Sequence, residues 1–424
     1  MAKTVDYFHS GVFEEHLLEA AHLYDRRLTA MHDSSVPWRR LGEIEQRFDA
    51  HIDALRAGKA AALTLCTDRA VTAEPGEVHA ALRLLCRAKH KETVLELLPL
   101  LQLEEEGIAD AAARALRQEA PTDWQVDLAR VFNDDKSALS GVLASVFGYR
   151  RIAAEALLIR KLSTQPETGV ASMAWALGRV GSDKSHAVLR PLLESTDDAI
   201  SEAAAIALLR LGEKEPAEVA LLLAPTRAWP AKVLGIAGDG RAVRVLLDVL
   251  NSDKATKDCA IALGMLGDLA AVAPLLAKIE DDEIGESVAT ALNTITGAEL
   301  SNEVLVPDAI AGEEPELNVD GEPFGSWERF PLRDPAAWRA WLGDNKKGFH
   351  RDARWRMGQE HGAAAVLEGL RQPRSPLAVR ELSYEELVIR FKLNVPFECN
   401  LLARQQLNFL SVIEKWVASI SQAR

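Results

Sequence analysis

Apolar residues near the start of the chain recur every three or four positions, the spacing at which side chains share one face of an α-helix. Residues 12–31 show this pattern, and residues 38–66 continue it with an interruption near Gly58. The pattern predicts two amphipathic helices that form a hairpin over residues 1–75. Because this hairpin lacks the motif that recurs later in the chain, we expect it to cap the array of repeats.

A six-residue motif of apolar, small and variable positions occurs five times further along the chain. Its copies begin at Ala176, Ala207, Val233, Ala262 and Ala291, and the clearest read Ala-Leu-Gly-Arg-Val-Gly and Ala-Leu-Gly-Met-Leu-Gly. The starts lie 31, 26, 29 and 29 residues apart, a period that accommodates one pair of helices. The sequence therefore predicts a stack of helical hairpins over residues 76–300.

The small residues of the motif have predicted mechanical roles. The final glycine can adopt the left-handed conformation that ends a helix, and a following Asp, as in Gly267-Asp268, favours a tight turn or caps the next helix. Alanine and glycine within the motif allow a neighbouring helix to approach closely. We therefore expect contacts between helices at these positions.

The chain changes character after this array. Residues 301–335 carry five prolines and an acidic cluster at Glu313, Glu314 and Glu316, which predicts an acidic linker or long loop. Residues 336–424 hold four of the nine tryptophans. That density predicts a packed, Trp-rich C-terminal helical subdomain.

Composition narrows the class of protein further. Alanine and leucine dominate the 48% of hydrophobic residues, while β-branched runs are scarce, so we expect an all-α fold with almost no sheet. The formal net charge of −14 repels phosphate backbones and anionic lipids, which disfavours nucleic acid as the main partner. The nearest basic stripe, Arg150-Arg151 with Arg160-Lys161, is typical of a solvated helix face.

The sequence also predicts the compartment. Residues 1–10 lack the apolar core of a signal peptide, and no stretch reaches the roughly 18 apolar residues that a membrane helix needs. The four cysteines lie too far apart for a Cys-x-x-Cys pair. We expect a cytoplasmic protein with reduced thiols and no membrane contact.

No group of residues predicts a reaction. Glu19-x-x-His22 has the spacing of half a di-iron site, but the chain offers no second half. The glycines from Gly235 to Gly240 follow a repeat motif and lack the Lys-Ser/Thr of a phosphate-binding loop. We therefore expect neither a catalytic site nor a bound metal or cofactor.

The motif units resemble HEAT-like repeats of the subclass named after phycobilisome lyases, over about half of the chain. With its opening helices and Trp-rich tail, the whole chain resembles an uncharacterised proteobacterial family of HEAT-repeat proteins, some of whose members are encoded near type VI secretion components. This resemblance implies a HEAT-like α-solenoid without an assigned reaction. It also implies an accessory or effector-chaperone role in type VI secretion.

The fourth position of the motif varies while its neighbours do not, as an outward ridge position would. In HEAT-like stacks the second helix of each unit lines the concave face, so the resemblance implies a set of partner-binding residues: Trp175, Arg179, Arg210, Trp229 and Lys232. Exposed tryptophan and arginine are common anchors of protein interfaces. The alternative is that the two tryptophans fill space between helices.

Function is predicted only as a class. The leading hypothesis is a non-enzymatic scaffold or adaptor that binds another protein on the concave face. The alternative is a HEAT-like enzyme of the phycobilin-lyase or DNA-glycosylase kind. A lyase would need a chromophore-handling partner, and a DNA enzyme would need a deep basic groove, which the net charge disfavours.

Overall fold

A computed structural model describes residues 2–134, 138–164, 166, 168–307 and 325–422, with residues 2–10, 307, 421 and 422 described by their backbone alone. The described chain is predominantly helical. The acidic cluster at Glu313, Glu314 and Glu316 lies outside the described residues.

Helices account for all regular structure in the described part of the first half of the chain. They are α1 (Ala2–His32), α2 (Leu41–Ala57), α3 (Lys59–Ala70), α4 (Pro75–Arg87), α5 (Lys91–Leu97), α6 (Ile108–Glu119), α7 (Gln125–Asp134), α8 (Leu139–Tyr149), α9 (Glu155–Ser163), α10 (Val170–Val180), α11 (His186–Leu189), α12 (Asp198–Arg210) and α13 (Glu215–Leu223).

The second half adds four short strands to its helices. The order is α14 (Pro230–Ala237), α15 (Gly240–Leu250), α16 (Lys257–Leu266), α17 (Val272–Ala277), α18 (Gly285–Thr296), β1 (Ser301–Pro307), β2 (Gly325–Pro331), α19 (Pro335–Asn345), β3 (Trp355–Arg356), β4 (Gln359–Glu360), α20 (Ala363–Arg371), α21 (Leu377–Phe391) and α22 (Ala403–Gln422). Single 3-10 turns cover Trp38–Arg40, Leu98–Leu100, Thr122–Trp124, Asp183–Ser185, Arg190–Glu194, Leu269–Ala271 and Lys346–Gly348.

These elements form two compact units whose boundaries differ from the four predicted segments. Unit 1 consists of Met1–Ala30, Arg39–Val219 and Val395–Phe409, and unit 2 consists of Met31–Trp38, Ala220–Asn394 and Leu410–Arg424. Within unit 1, Arg27 donates to the carbonyl of Leu401 at 3.1 Å, and the amide of Ala403 donates to Glu45 at 2.8 Å. These bonds attach part of the C-terminal region to the N-terminal helices.

Alternate helices of the array pack directly on one another. In unit 1, α4, α6, α8, α10 and α12 do so in succession, and in unit 2 α14, α16 and α18 do so. A Cβ on Gly178 would lie 2.7 Å from Cα of Ala207, and one on Gly264 would lie 2.7 Å from Cα of Ala291. The predicted close approach through small residues of the motif is confirmed at these positions.

The glycines that end the motif follow the prediction only in part. Gly212 and Gly267 have φ of 98° and 69° and are left-handed, as expected. Gly181 and Gly238 are extended instead, with φ of −83° and −66°, so the prediction is wrong for them. The carboxylate of Asp268 accepts from the amide of Ala270 at 2.8 Å and caps the next turn, as predicted.

The N-terminal helices break where the sequence indicates. α2 ends at Ala57 and α3 begins at Lys59, with Gly58 between them. A Cβ at Gly58 would lie 2.6 Å from the ring of Phe13. Because glycine has no side chain, Gly58 permits a close contact with α1 that a larger residue would prevent.

The segment predicted as a linker contains a β-hairpin. β1 and β2 pair antiparallel from Ser301 opposite Pro331 to Pro307 opposite Gly325. The prolines on which the linker prediction rested include the last residue of each strand. Both are edge strands of a two-stranded sheet, where a missing amide is tolerated. A second, two-residue pairing joins β3 and β4.

Candidate functional site

Arg179 occupies a different environment from the predicted one. Its Nε and Nη2 donate to the two carboxylate oxygens of Glu398 at 2.6 and 3.0 Å, and its side chain is 4% exposed. Its guanidinium also lies 3.6 Å from the ring centre of the half-buried Trp175. The expectation that Arg179 is an exposed ridge residue is wrong, because the Val395–Phe409 segment covers it.

The other predicted contact residues divide between the two units. Trp229 is 2% exposed in unit 2, which agrees with the alternative that it fills space between helices. Arg210 in unit 1 is half-buried and donates to the carbonyl of Gly178 at 2.8 Å. Lys232 is half-buried in unit 2, 3.7 Å from Asp258. Partner binding by the predicted set stays a prediction, and Trp175, Arg210 and Lys232 are its partly accessible members.

Glu398 is the centre of a largely buried charge cluster in unit 1, with its side chain 13% exposed. Besides Arg179, it accepts from Nη2 of Arg151 at 3.0 Å. Burial raises the pKa of this carboxyl group, but the neighbouring arginines outweigh burial and lower its pKa to about 2. The carboxylate is therefore ionised at neutral pH and balances cations from two helix ends.

Unit 2 contains a similar cluster around Glu386, which is fully buried. The carboxylate accepts from Arg356 and His361 at 2.8 Å each and lies 3.1 Å from Nε of Arg390. Burial raises its pKa, whereas Arg356 and the other basic groups lower it to about 2. Nη2 of Arg354 lies further away, at 3.9 Å.

The arginines of this cluster also bind the ends of repeat helices. Arg390 donates to the carbonyls of Ile236 and Gly238 at 2.6 Å each. Arg354 donates to the carbonyl of Leu266 at 2.5 Å. These bonds satisfy carbonyls at the C-termini of α14 and α16, where a positive charge is favourable. The cluster thus has a clear structural role.

A surface groove of about 720 Å³ in unit 1 lies where the ends of α2 and α4 meet the start of α3. Its exposed basic edge consists of Arg56, Lys59, Lys89 and His90, and we call it the basic groove. Asp68 is its one acidic lining residue. No ion pair to Arg56, Lys59 or Lys89 occurs among the described residues.

Two lysines of the basic groove have an uncommon backbone conformation. Lys59 and Lys89 have φ of 52° and 60°, in the left-handed region that non-glycine residues enter rarely. Each follows the end of a helix, α2 or α4. Strained residues of this kind concentrate at functional sites, so their conformation supports the basic groove as a candidate site.

Glu19 and His22, which have the spacing of half a di-iron site, are not joined by further ligands in the part of the chain that the structure describes. Among the described residues, no group of three His, Cys, Asp or Glu side chains has the geometry to hold a metal ion. His16 instead contacts His51, with their Nδ1 atoms 3.0 Å apart. Burial first, and His16 next, lower the pKa of His51.

The described cysteines are core residues. Cys66, Cys86, Cys259 and Cys399 are buried, and no disulfide joins any two of these four. Burial raises the pKa of the first three to about 12, so their thiols stay protonated and unreactive at neutral pH. None of the described helices combines the length and the apolar character that a membrane crossing requires.

The residues of the basic groove were missed by the sequence interpretation, although a signal exists. Arg56 and Lys59 flank the break at Gly58, and Arg87 and Lys89 follow the same arrangement at the end of α4. Two basic pairs, at the ends of α2 and α4, indicate a shared surface. The net charge sums over the whole chain, so it does not show a local basic surface of this kind.

Comparison with known proteins adds no relative: neither a scan against protein-family models nor a search of curated proteins finds a match to this chain.

Proposed function

We propose that this protein is a non-enzymatic scaffold of HEAT-like repeats that binds an acidic segment of a partner protein in the basic groove of unit 1. The observation that carries the proposal is the groove of about 720 Å³ edged by Arg56, Lys59, Lys89 and His90. The close packing of alternate helices supports the repeat architecture, because each repeat of a solenoid buries its apolar face against its neighbours.

Charge complementarity favours an acidic occupant. The chain has a net charge of −14. The basic groove therefore carries a local positive charge on a protein that is negative on average. Such a charge steers an anionic partner during encounter and fixes its register. The apolar residues Leu63 and Leu85 line the same groove and offer contacts for the side chains between the acidic ones.

A protein segment fits better than a nucleic acid. Nucleic-acid binding depends on many phosphate contacts along an extended basic surface. The stripe of Arg150, Arg151, Arg160 and Lys161 does not extend the groove in that way: Arg151 binds Glu398, and Lys161 donates to the carbonyl of Phe132 at 3.0 Å. Nucleic acid is therefore the competing outcome of the test.

The test compares a Lys59→Glu, Lys89→Glu double variant with a Lys346→Glu, Lys347→Glu control that makes the same charge change at exposed lysines in unit 2. The probes are a fluorescent ten-residue Glu/Leu peptide and a single-stranded oligonucleotide of equal length. We expect the peptide to bind the wild type and the control. Binding to the groove variant should fall at least about tenfold, since each lost charge-assisted contact contributes about 1.5 kcal/mol.

Equal binding of the peptide to the groove variant would contradict the proposal, as would tighter binding of the oligonucleotide. Peptide binding should also weaken as salt rises from 50 to 300 mM, because exposed charges are screened. The family resemblance narrows the partner further, to a type VI secretion effector or component. Mass spectrometry of proteins retained by the wild type, but not by the groove variant, tests that narrower proposal.

A further inference from the structure

Unit 2 contains a cleft of about 310 Å³ that the proposed function does not use. Its walls come from α18, from the base of the β1–β2 hairpin and from the segment that joins α20 to α21. We call it the unit 2 cleft. Its volume is at the lower end of the range for small-molecule sites.

The walls of the unit 2 cleft are largely apolar. Leu300, Phe330, Pro331, Met357 and Pro373 supply apolar atoms. This lining suits the hydrocarbon part of a ligand, because transfer of apolar surface out of water is favourable.

Most polar groups in the cleft are already bonded to the protein. The side-chain amide of Asn293 donates to the carbonyl of Leu300 at 3.3 Å and accepts from its amide at 3.1 Å. Gln372 donates to Glu299 at 3.0 Å, and Arg329 donates to the hydroxyl of Ser301. These bonds hold the walls in place and leave few groups to bind a ligand.

Arg374 retains unused donors at one end of the cleft. Arg374 donates through Nη1 to the carbonyl of Ser35 at 2.8 Å, and its remaining N–H groups have no partner among the described residues. A guanidinium with unused N–H groups favours a negatively charged partner. This end of the cleft therefore suits an anion.

Met357 lines the cleft and has a strained backbone conformation. With Gly358 it forms the two-residue connection between β3 and β4, and both residues have positive φ, 51° and 72°. Positive φ at both positions defines a type I′ turn, which prefers Asn-Gly because a larger side chain is strained there. Glu299, with φ of 53°, is a second strained residue of the lining.

We propose that the unit 2 cleft binds a small carboxylate with an apolar body, whose carboxylate contacts Arg374 and whose body contacts Met357 and Phe330. The methionine is kept in a strained turn because its side chain completes the apolar wall. This site lies in unit 2 and does not depend on the proposed partner binding in unit 1.

The test uses four variants of the full chain and two probes, 4-phenylbutyrate and its neutral counterpart 4-phenylbutanol, with affinity measured by ligand-detected NMR. Wild type should bind the acid at least about tenfold more tightly than the alcohol, as expected for a charge-assisted contact. Arg374→Gln should remove this preference. Met357→Asn should raise Tm, because it relieves strain in the turn, and should weaken binding of both probes.

Lys392→Asn is the matched control, since Lys392 is an exposed left-handed residue, with φ of 62°, outside the cleft. It should raise Tm in the same way and leave binding unchanged. Absence of binding by the acid, equal affinity for acid and alcohol, or wild-type affinity in Met357→Asn would each overturn the proposal. Loss of acid binding in the Lys59→Glu, Lys89→Glu variant would also overturn it, because the two sites are proposed to be independent.

Discussion

Glu398 and Glu386 are the centres of two charge clusters, one in each unit. Glu398 binds Arg151 and Arg179, and Glu386 binds Arg356 and Arg390. Arg151 and Arg390 also donate to carbonyls at helix ends, so that each carboxylate holds an arginine that caps a helix. A buried pair of this kind is costly to break on one side, because the remaining charge stays buried without a partner.

Replacement of Glu398 by Gln tests this role. Gln cannot neutralise Arg151 and Arg179, so we expect the free energy of unfolding to fall by about 3 kcal/mol, the scale for a broken buried pair. Urea denaturation measures the change. Glu368→Gln is the control, because Glu368 binds the half-exposed Arg371 at 2.6 Å and a surface pair contributes less than about 1 kcal/mol. Equal losses in both variants would contradict the argument.

The pH dependence of the same variant gives an independent check. The pKa of Glu398 is lowered from 4.5 to about 2 in the folded protein. A lowered carboxyl pKa stabilises the fold above pH 4.5, and this contribution is lost as pH falls toward 2. Stability of the wild type should therefore decrease over this range more steeply than that of Glu398→Gln.

Helix pairs of the array are joined through positions that have no side chain. Glycine is a poor helix former, about 1 kcal/mol worse than alanine, yet Gly178 and Gly264 lie inside repeat helices. Their neighbours are the alanines of the next copy of the motif. Close packing of the two backbones therefore outweighs helix propensity at these positions.

Gly264→Ala should destabilise unit 2. The new Cβ would lie 2.7 Å from Cα of Ala291, and overpacking of this kind costs about 1–3 kcal/mol. Gly343→Ala in α19 is the control, since a Cβ there meets nothing within 4 Å; it should stabilise by up to about 1 kcal/mol. Thermal unfolding of both variants measures the effect. A rise in Tm for Gly264→Ala would contradict the prediction, because it would show that α16 and α18 accommodate the added methyl group without cost.

At the scale of the whole molecule, each unit combines distant parts of the chain. Unit 1 includes Val395–Phe409, which carries Glu398, and unit 2 includes the arginines that cap α14 and α16. The C-terminal region is thus a component of both units. This organisation decides what a truncation does to the proposed scaffold.

A chain truncated after residue 300 should not fold as an independent array. In unit 1 it loses Glu398, which leaves Arg151 and Arg179 without their carboxylate. In unit 2 it loses Arg354 and Arg390, and with them the caps of two repeat helices. We expect aggregation or a broad, low-temperature transition in circular dichroism. Full-length chain in the same buffer is the reference, and a soluble fragment with a cooperative transition would contradict the prediction.

The sequence by itself determined the local features. Helical periodicity predicted the predominantly helical structure, Gly58 marked the break between α2 and α3, and the small residues of the motif predicted close contacts such as Gly264 with Ala291. These features depend on neighbours within one or two helices. For that reason they leave a regular pattern in the sequence.

Only the tertiary structure decided the pairing of distant charges and the form of the candidate sites. Glu398 lies 219 positions from Arg179, and no periodicity relates them, so an arginine that the motif placed on an exposed ridge is buried instead. The unit 2 cleft joins segments from residues 34 to 376. Charge pairing and cavities depend on how the chain returns on itself, which local propensity does not encode.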